Sequence, residues 1–301
     1  MGEITEKNTK AEILEAYLVE KATNQALSEN LLKYQEELNQ ANDNSVTVAP
    51  ASDKVTIVIP YVAELAQGNE LSLALRGWYK NFDGKLNVVI IGSGVSGLSN
   101  LVHVIECDRV SDNPPLDIAH KMLLAIESDK VSEKFIWAND DQYLISPCML
   151  ADLEILKCAG QLGETKFGSS SYQQNKKRTF DLLRKAGKGT WDFSTHIPVV
   201  FEKQKLQQLI SEFNLEKEAH LIATLYFNWY FEGFVPLNVD NQTALEHDNI
   251  KIGVYRQAAD FERLKKLMPG KKIISNSESG WSPKLAEILN NIFPEKCPFE
   301  A

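Results

Sequence analysis

The chain has 301 residues, 44% hydrophobic and 24% charged, a balance that suits a globular protein of one large domain or two small ones. A formal net charge of -9 argues against nonspecific nucleic-acid binding, and no apolar run approaches the ~20 residues that span a bilayer. Cys107, Cys148, Cys158 and Cys297 form no CxxC pair and no zinc spacing, so they read as reduced thiols of a cytoplasmic protein. The first residues, MGEITEKNTKAEILEAY, carry neither the basic nor the apolar region of a secretory signal, and Gly2 matches a myristoylation site only weakly.

Residues 8–41 predict a helical arm, with Ile13, Leu14, Tyr17, Leu18 and Ala22 on one face. Ala41 to Ser52 is small and mostly polar and reads as a linker. The chain therefore divides into an arm and linker (1–52) and a main domain (53–301). The arm is either a hairpin that builds a homo-oligomer or a helix docked on the main domain.

From Lys54 the pattern changes. Val55 to Pro60 predicts a buried strand, Asn69 to Phe82 a helix, and Leu86 to Ile91 a second strand. Leu101 to Ile105 is a short third strand, Leu116 to Ser128 a helix, and Lys134 to Ala138 a fourth strand. Further helices are expected near 147–158, 203–213, 217–232, 258–267 and 282–292. Strands alternating with helices predict an α/β fold with parallel pairs.

The stretch VVIIGSGVSGL, Val88 to Leu98, carries the G-x-G-x-x-G spacing of a dinucleotide site. Such a site needs a crossover helix after the third glycine, and an acidic residue ending the next strand about 20 residues on. Here a strand-like run begins four residues past Gly97, and Asp112 sits beside Asn113-Pro114-Pro115 with no strand before it. The glycines therefore read as a flexible loop at a strand end, which can still line a pocket.

Phe135-Ile136-Trp137-Ala138-Asn139-Asp140-Asp141 delivers adjacent carboxylates to the end of an apolar strand. Hard oxygen ligands of this kind suit Mg²⁺ or Mn²⁺, which also hold diphosphate oxygens. A polar turn after the strand is the other reading.

Asn69-Glu70-Leu71-Ser72-Leu73-Ala74-Leu75-Arg76, then FIWANDDQYLISP, then Thr195-His196-Ile197-Pro198, then a close of FPEKCPFE follow one another in order between Val55 and Glu300. This series resembles the Stealth family of sugar-phosphate transferases. The resemblance implies a GT-A-like, Rossmann-like mixed sheet flanked by helices, with the N-terminal arm in addition. It implies transfer of a sugar-1-phosphate from a nucleotide-sugar donor to a saccharide hydroxyl, with Mg²⁺ or Mn²⁺. On this resemblance Asp140 and Asp141 would hold the metal, and His196, Asp141 and Arg76 would be catalytic. Pro60, Tyr61, Gly92, Ser93, Asn139 and Asp140 would line the donor site. His196 would act as a base on the acceptor or as a phosphate contact, or it would only cap a turn. Arg76 would bind phosphate or pair with a nearby carboxylate.

Two family features are missing. The first strand runs into Ile59-Pro60-Tyr61-Val62-Ala63-Glu64 without the family's aspartate, and Glu64 is the nearest substitute. No arginine lies between Arg184 and Arg256, which leaves Lys217 or His220 to supply positive charge. Plain glycosyl transfer, or a degenerate sugar-binding or structural protein assembled through its arm, are therefore the competing readings. A flavin or nicotinamide oxidoreductase is a third.

Several other residues stand out. Lys176-Lys177-Arg178, with Arg184, Lys185 and Lys188, is either an anion site or a solvated helix face. Trp191, Trp229 and Trp281 either stack on sugars or pack in the core. Asn276 and Glu278 lie on a late polar loop that in the family approaches the metal, Ser282 and Pro283 read as a helix N-cap and first position, and His120 reads as structural.

Overall fold

Val55 to Ile59 and Leu86 to Ile91 are rich in β-branched and apolar residues on both faces, the pattern of strands covered from two sides. The computed structural model describes residues 54–163, 166–239, 249–252, 264, 266–276 and 280–301. Of the chain's two units, Met1–Ser52 and Asp53–Ala301, the first lies outside the described residues, and with it the expected arm of residues 8–41.

The second unit runs β1 (Lys54–Pro60), α1 (Glu70–Asn81), β2 (Lys85–Ile91), β3 (Val102–Ile105), α2 (Pro114–Glu127), β4 (Lys134–Trp137) and β5 (Gln142–Leu144). It continues with α3 (Leu150–Glu154), β6 (Lys157–Cys158), α4 (Ser171–Lys185), β7 (Val199–Glu202), α5 (Lys203–Glu212) and α6 (Ile222–Tyr230). The last described elements are β8 (Leu237–Asn238), β9 (Asn249–Ile252), β10 (Ile273–Asn276) and α7 (Pro283–Ile292).

The central sheet has the order β3-β2-β1-β4-β7. Its first four strands are parallel, and β7 runs antiparallel beside β4. The fold is thus mixed α/β, with a mostly parallel sheet flanked by helices, compatible with a Rossmann-like architecture. Alternation along each strand sorts the core into two layers. Val58, Val89, Ile91, Phe135 and Trp137 pack with Met122 and Ala125 of α2, Leu206 and Leu209 of α5, and Leu225 and Tyr226 of α6. Their neighbours Ile57, Ile59, Val88, Ile90 and Ile136 pack with Leu75 and Trp78 of α1.

Helix α1 also joins a second sheet, of order β5-β10-β9. Its Leu73 and Ala74 pack with Tyr143, Ile274 and the Leu285, Ile288 and Leu289 face of α7. Gly77 lets the helix approach β5, because a Cβ there would lie 2.9 Å from the Leu144 carbonyl oxygen. Ser282 caps α7 as expected, accepting from the Leu285 N–H at 3.2 Å, with Pro283 at the first helical position.

The expected early elements match within one or two residues. The helix near 147–158 shrinks to α3, because Lys157 and Cys158 pair with Leu237 and Asn238 as strand. The helix near 217–232 starts only at Ile222, since the Leu221 N–H is taken by the Thr179 hydroxyl at 2.9 Å. Most of the one near 258–267 lies outside the described residues.

No helix separates β2 from β3, so the glycine motif does not build a dinucleotide crossover. Its glycines serve the backbone instead. Gly92 accepts the close approach of the chain leaving β1: a Cβ would stand 2.2 Å from the Tyr61 carbonyl oxygen. Gly94 and Gly97 take left-handed conformations, at φ 70° and 72°. Gly92→Ala is therefore expected to lower stability by about 1–3 kcal/mol. Urea unfolding reads this as a lower midpoint at unchanged slope. An unmoved midpoint would mean that the Tyr61 backbone yields freely.

Candidate functional site

In the strand order β3-β2-β1-β4 the chain leaves β1 toward β2 but reaches β4 on the other side. The loops after β1 and β4 therefore diverge, and the crevice between such strand ends is where ligands bind in open α/β sheets. A cleft of about 230 Å³ opens there, lined among others by Pro60, Glu70, Arg109, Lys121 and Asn139 to Asp141.

The carboxylates reach the cleft because β4 ends at Trp137 and the chain turns at once into β5. The Asn139 N–H donates to the Gln142 side chain at 3.0 Å and closes that turn. The next residues are then tied to the second sheet, as the Asn276 N–H donates to the Asp141 carbonyl at 3.1 Å. Asp141 Oδ2 lies 3.0 Å from His196 Nε2, which is also 2.9 Å from the Asn276 carbonyl oxygen. Asp141 Oδ1 is buried with no hydrogen-bond partner among the described residues. His196 holds a left-handed backbone, φ 55°, uncommon for a side chain of its size. Such an outlier is a mark of a constrained position.

Asn276 is the junction. Fully buried at the end of β10, it donates to Glu70 Oε1 at 2.7 Å and accepts from the Tyr143 hydroxyl at 2.9 Å. Glu70 is itself buried in the first turn of α1, where the helix dipole favours a carboxylate, and its Oε2 accepts the Gln67 N–H at 3.0 Å. Burial, with Asp141 and then Glu70 nearby, pushes the Asp140 carboxyl up to about 7. Burial and the same acidic surroundings, Asp140 first, raise the Tyr61 phenol.

Two cations also line the cleft, each with a carboxylate partner. Buried Asp117 accepts from Lys121 Nζ at 2.5 Å and from the Val110 N–H at 2.8 Å. This fixes the loop that carries Arg109, whose Nε donates to the Ser111 carbonyl at 3.1 Å. The lining thus holds the carboxylates Glu70, Asp117, Asp140 and Asp141 against the cations Arg109 and Lys121.

Of the expected site residues, Pro60, Asn139, Asp140 and Asp141 line the cleft, and His196 is one hydrogen bond from it through Asp141. Tyr61, Gly92 and Ser93 stand at the strand ends beside it without lining it. Arg76 takes the second of its two expected roles, pairing with a carboxylate. Its guanidinium grips Glu300 at 2.7 and 2.8 Å and donates to the Phe293 carbonyl at 3.0 Å, so it anchors the last residues and contacts no cleft group. Glu64 is exposed on the turn after β1, and Glu70 is the carboxylate present in the cleft. Lys217 is exposed and away from the cleft lining. His220 carries no charge at neutral pH, since burial, and then Arg178, lower it to about 4.

The basic stretch is structural along α4. Lys176 pairs with Asp192 and Lys177 with Asp181, each at 2.5 Å, while Arg178 donates to the Ala219 carbonyl at 3.0 Å. Trp191 and Trp229 pack against the core, Trp281 covers Gly68, and His120 lies 3.4 Å from Glu216. Glu278 lies outside the described residues. Sequence reasoning missed Glu70 and Arg109 as cleft residues. The only signal for Glu70 was its place in the motif that leads to Arg76.

Two outcomes follow from these contacts. Glu300 has a side chain 4% exposed, so Arg76→Met leaves a buried carboxylate unpaired and is expected to cost roughly 3–5 kcal/mol. Restoring most of that loss with Glu300→Gln in the same chain would identify the cause, and equal instability of the double variant would reject it. Asp140 has a folded pKa of about 7, above its unfolded ~3.9. The folded state therefore loses stability as pH rises between these values. Without divalent cations, Asp140→Asn is expected to be more stable above pH ~7, by on the order of 1–3 kcal/mol, and equal to the parent below pH ~4. Parallel stability profiles for the two proteins would reject the shift. Comparison with family models and with curated proteins finds no match for the chain, so the chemistry of this site rests on its own residues.

Proposed function

We propose that the protein is a transferase with a GT-A-like form of the Rossmann-like sheet. It moves a glycosyl or sugar-1-phosphate group from a nucleotide sugar to a hydroxyl of a saccharide. The observation that carries this reading is the joining of Asp141 to His196 at a cleft where strand order reverses, with Asp140 beside it. The ordered resemblance of the Asn139-Asp140-Asp141, His196-Ile197-Pro198 and Pro298-Phe299-Glu300 segments to the Stealth family supports the same reaction class. Glu70, which lines the cleft from α1, would supply an acidic group there in place of the family's first-strand aspartate.

The residues fit a hard divalent cation such as Mg²⁺ or Mn²⁺. Among the described residues no three His, Cys, Asp or Glu side chains converge as a ready metal cage. Mg²⁺, however, commonly takes one or two carboxylates and completes its shell with water and substrate phosphates. Asp141 Oδ1 is a buried oxygen without a partner among the described residues, and the lining carries more carboxylates than cations. Asp140 and Asp141 would hold the ion, which when bound would neutralise charge on the leaving phosphate.

The protein's own groups do the rest. Arg109 also lines the cleft and would meet the donor's phosphates, whereas Lys121 is buried and paired with Asp117. His196 would take the proton of the acceptor hydroxyl as its oxygen forms the new bond. In glycosyl transfer the sugar–oxygen bond to the nucleoside diphosphate breaks. In sugar-phosphate transfer the phosphorus–oxygen bond to the nucleoside monophosphate breaks. In each case the nucleotide leaves with the bonding electrons.

A thermal-shift panel of nucleotide sugars with and without Mn²⁺ tests this on the parent and Asp141→Ala. Ligand at ~100-fold above its Kd stabilises the folded state by roughly 2.7 kcal/mol. The expected result is a Mn²⁺-dependent shift with one nucleotide, lost in the variant. A flat panel would sink the transferase reading and favour a binding or structural protein, with residues 8–41 as its assembly element. A full shift in the variant would remove Asp141 from the metal.

A further inference from the structure

We infer that Asn276, pinned by Glu70 and Tyr143, is a positioning residue that fixes His196 in the Nε2–H tautomer and leaves Nδ1 as the nitrogen able to accept a proton. That this proton comes from an acceptor hydroxyl rests on the transferase reading; the tautomer does not.

The assignment follows from what each neighbour can do. A backbone carbonyl only accepts hydrogen bonds. Asn276 presents its carbonyl oxygen 2.9 Å from His196 Nε2, so that nitrogen must carry the hydrogen. Asp141 Oδ2, 3.0 Å from the same nitrogen, shares it. With hydrogen on Nδ1 instead, the Nε2 lone pair would face oxygen lone pairs of both groups. In a neutral imidazole one nitrogen donates and the other accepts, so the proton on Nε2 leaves Nδ1 basic. Nδ1 has no partner among the described residues, and the His196 side chain as a whole is 23% exposed.

The carbonyl is in place because the Asn276 side chain cannot turn. Its amide donates to Glu70 Oε1 at 2.7 Å, and its oxygen accepts from the Tyr143 hydroxyl at 2.9 Å. Its backbone N–H is held by the Asp141 carbonyl at 3.1 Å. Asn276 and Asp141 are thus tied to each other and to the same ring nitrogen. Three elements meet at this point: α1 through Glu70, β5 through Tyr143 and β10 through Asn276. His196 itself holds a left-handed backbone, φ 55°.

The experiment is nitrogen NMR of the whole protein with ¹⁵N-labelled histidine, from neutral to alkaline pH. The chain has five histidines, and His196→Gln identifies the signal that belongs to position 196. The expected pattern is a protonated Nε2 and an unprotonated Nδ1. In Asn276→Ala or Tyr143→Phe the Nδ1–H form is expected to rise from undetectable to a measurable fraction. If Asn276→Ala does not fold, the milder Tyr143→Phe keeps the test intact. Hydrogen on Nδ1 in the parent, or a ring doubly protonated throughout, would overturn the assignment. An unchanged tautomer in the folded variants, with scrambling in Asp141→Asn, would give the role to Asp141 alone. No donor, metal or turnover enters this readout, so its failure is distinct from failure of the transferase reading.

Discussion

The reversal of strand order between β1 and β4 is the constraint on which the site depends. Parallel strands hydrogen-bond side by side, and their exits must separate if one chain goes left and the other right. Pro60 ends β1 on one lip, and Asn139 to Asp141 follow β4 on the other. Nothing in the cleft needs a special loop to open it. The glycines after β2 help only by letting the Tyr61 backbone lie against Gly92, so that the chain clears the end of β1.

A crevice set by topology is open but not yet polar. Its acidic wall comes from elements brought together by the second sheet. β5 follows the carboxylates directly, and β10 pairs with it antiparallel, which carries Asn276 alongside Asp141. Helix α1 adds Glu70 at its first turn, while its later residues Leu75 and Trp78 fill the core beneath. One helix therefore couples the hydrophobic layer to the polar site. A shift of α1 against the sheet would move Glu70, then Asn276, then the carbonyl that faces His196.

This coupling explains what was legible in the sequence. The four parallel strands were readable because each is a short apolar run, and the helices between them show a periodic face. The carboxylate pair was readable because adjacent Asp residues stand directly at a strand end. The second sheet was not, because β5 has three residues and β10 four, too short for a period to emerge, and their pairing is distant in sequence. Arg76 misled for a similar reason. Its partner Glu300 lies 224 positions away, and no local pattern announces such a pair. His220 sits in a charged stretch, Lys217-Glu218-Ala219-His220, yet burial, and then Arg178, keep its ring neutral.

The burial of Asp140 beside two other carboxylates is the feature that, on the proposed reading, favours a ligand-binding role over a purely structural one. A carboxylate pushed up to about 7 by burial and two like charges costs the folded state stability that an amide in its place would retain. The Arg76–Glu300 pair shows the opposite arrangement in the same chain: buried, matched in charge, bonded through both carboxylate oxygens, and holding the last residues in place. A residue with only a structural task would be expected to resemble that pair. Asp140 does not, and the positive charge that would relieve it has to come from outside the acidic wall. Arg109 pairs with Asp112 at 3.3 Å and Lys121 with Asp117 at 2.5 Å, so both cations of the lining already have carboxylate partners. The cleft thus combines crowded carboxylates after β4 with cations that are already matched by Asp112 and Asp117. A bound cation would relieve the crowded carboxylates, whereas an anionic ligand arriving without one would add to their repulsion.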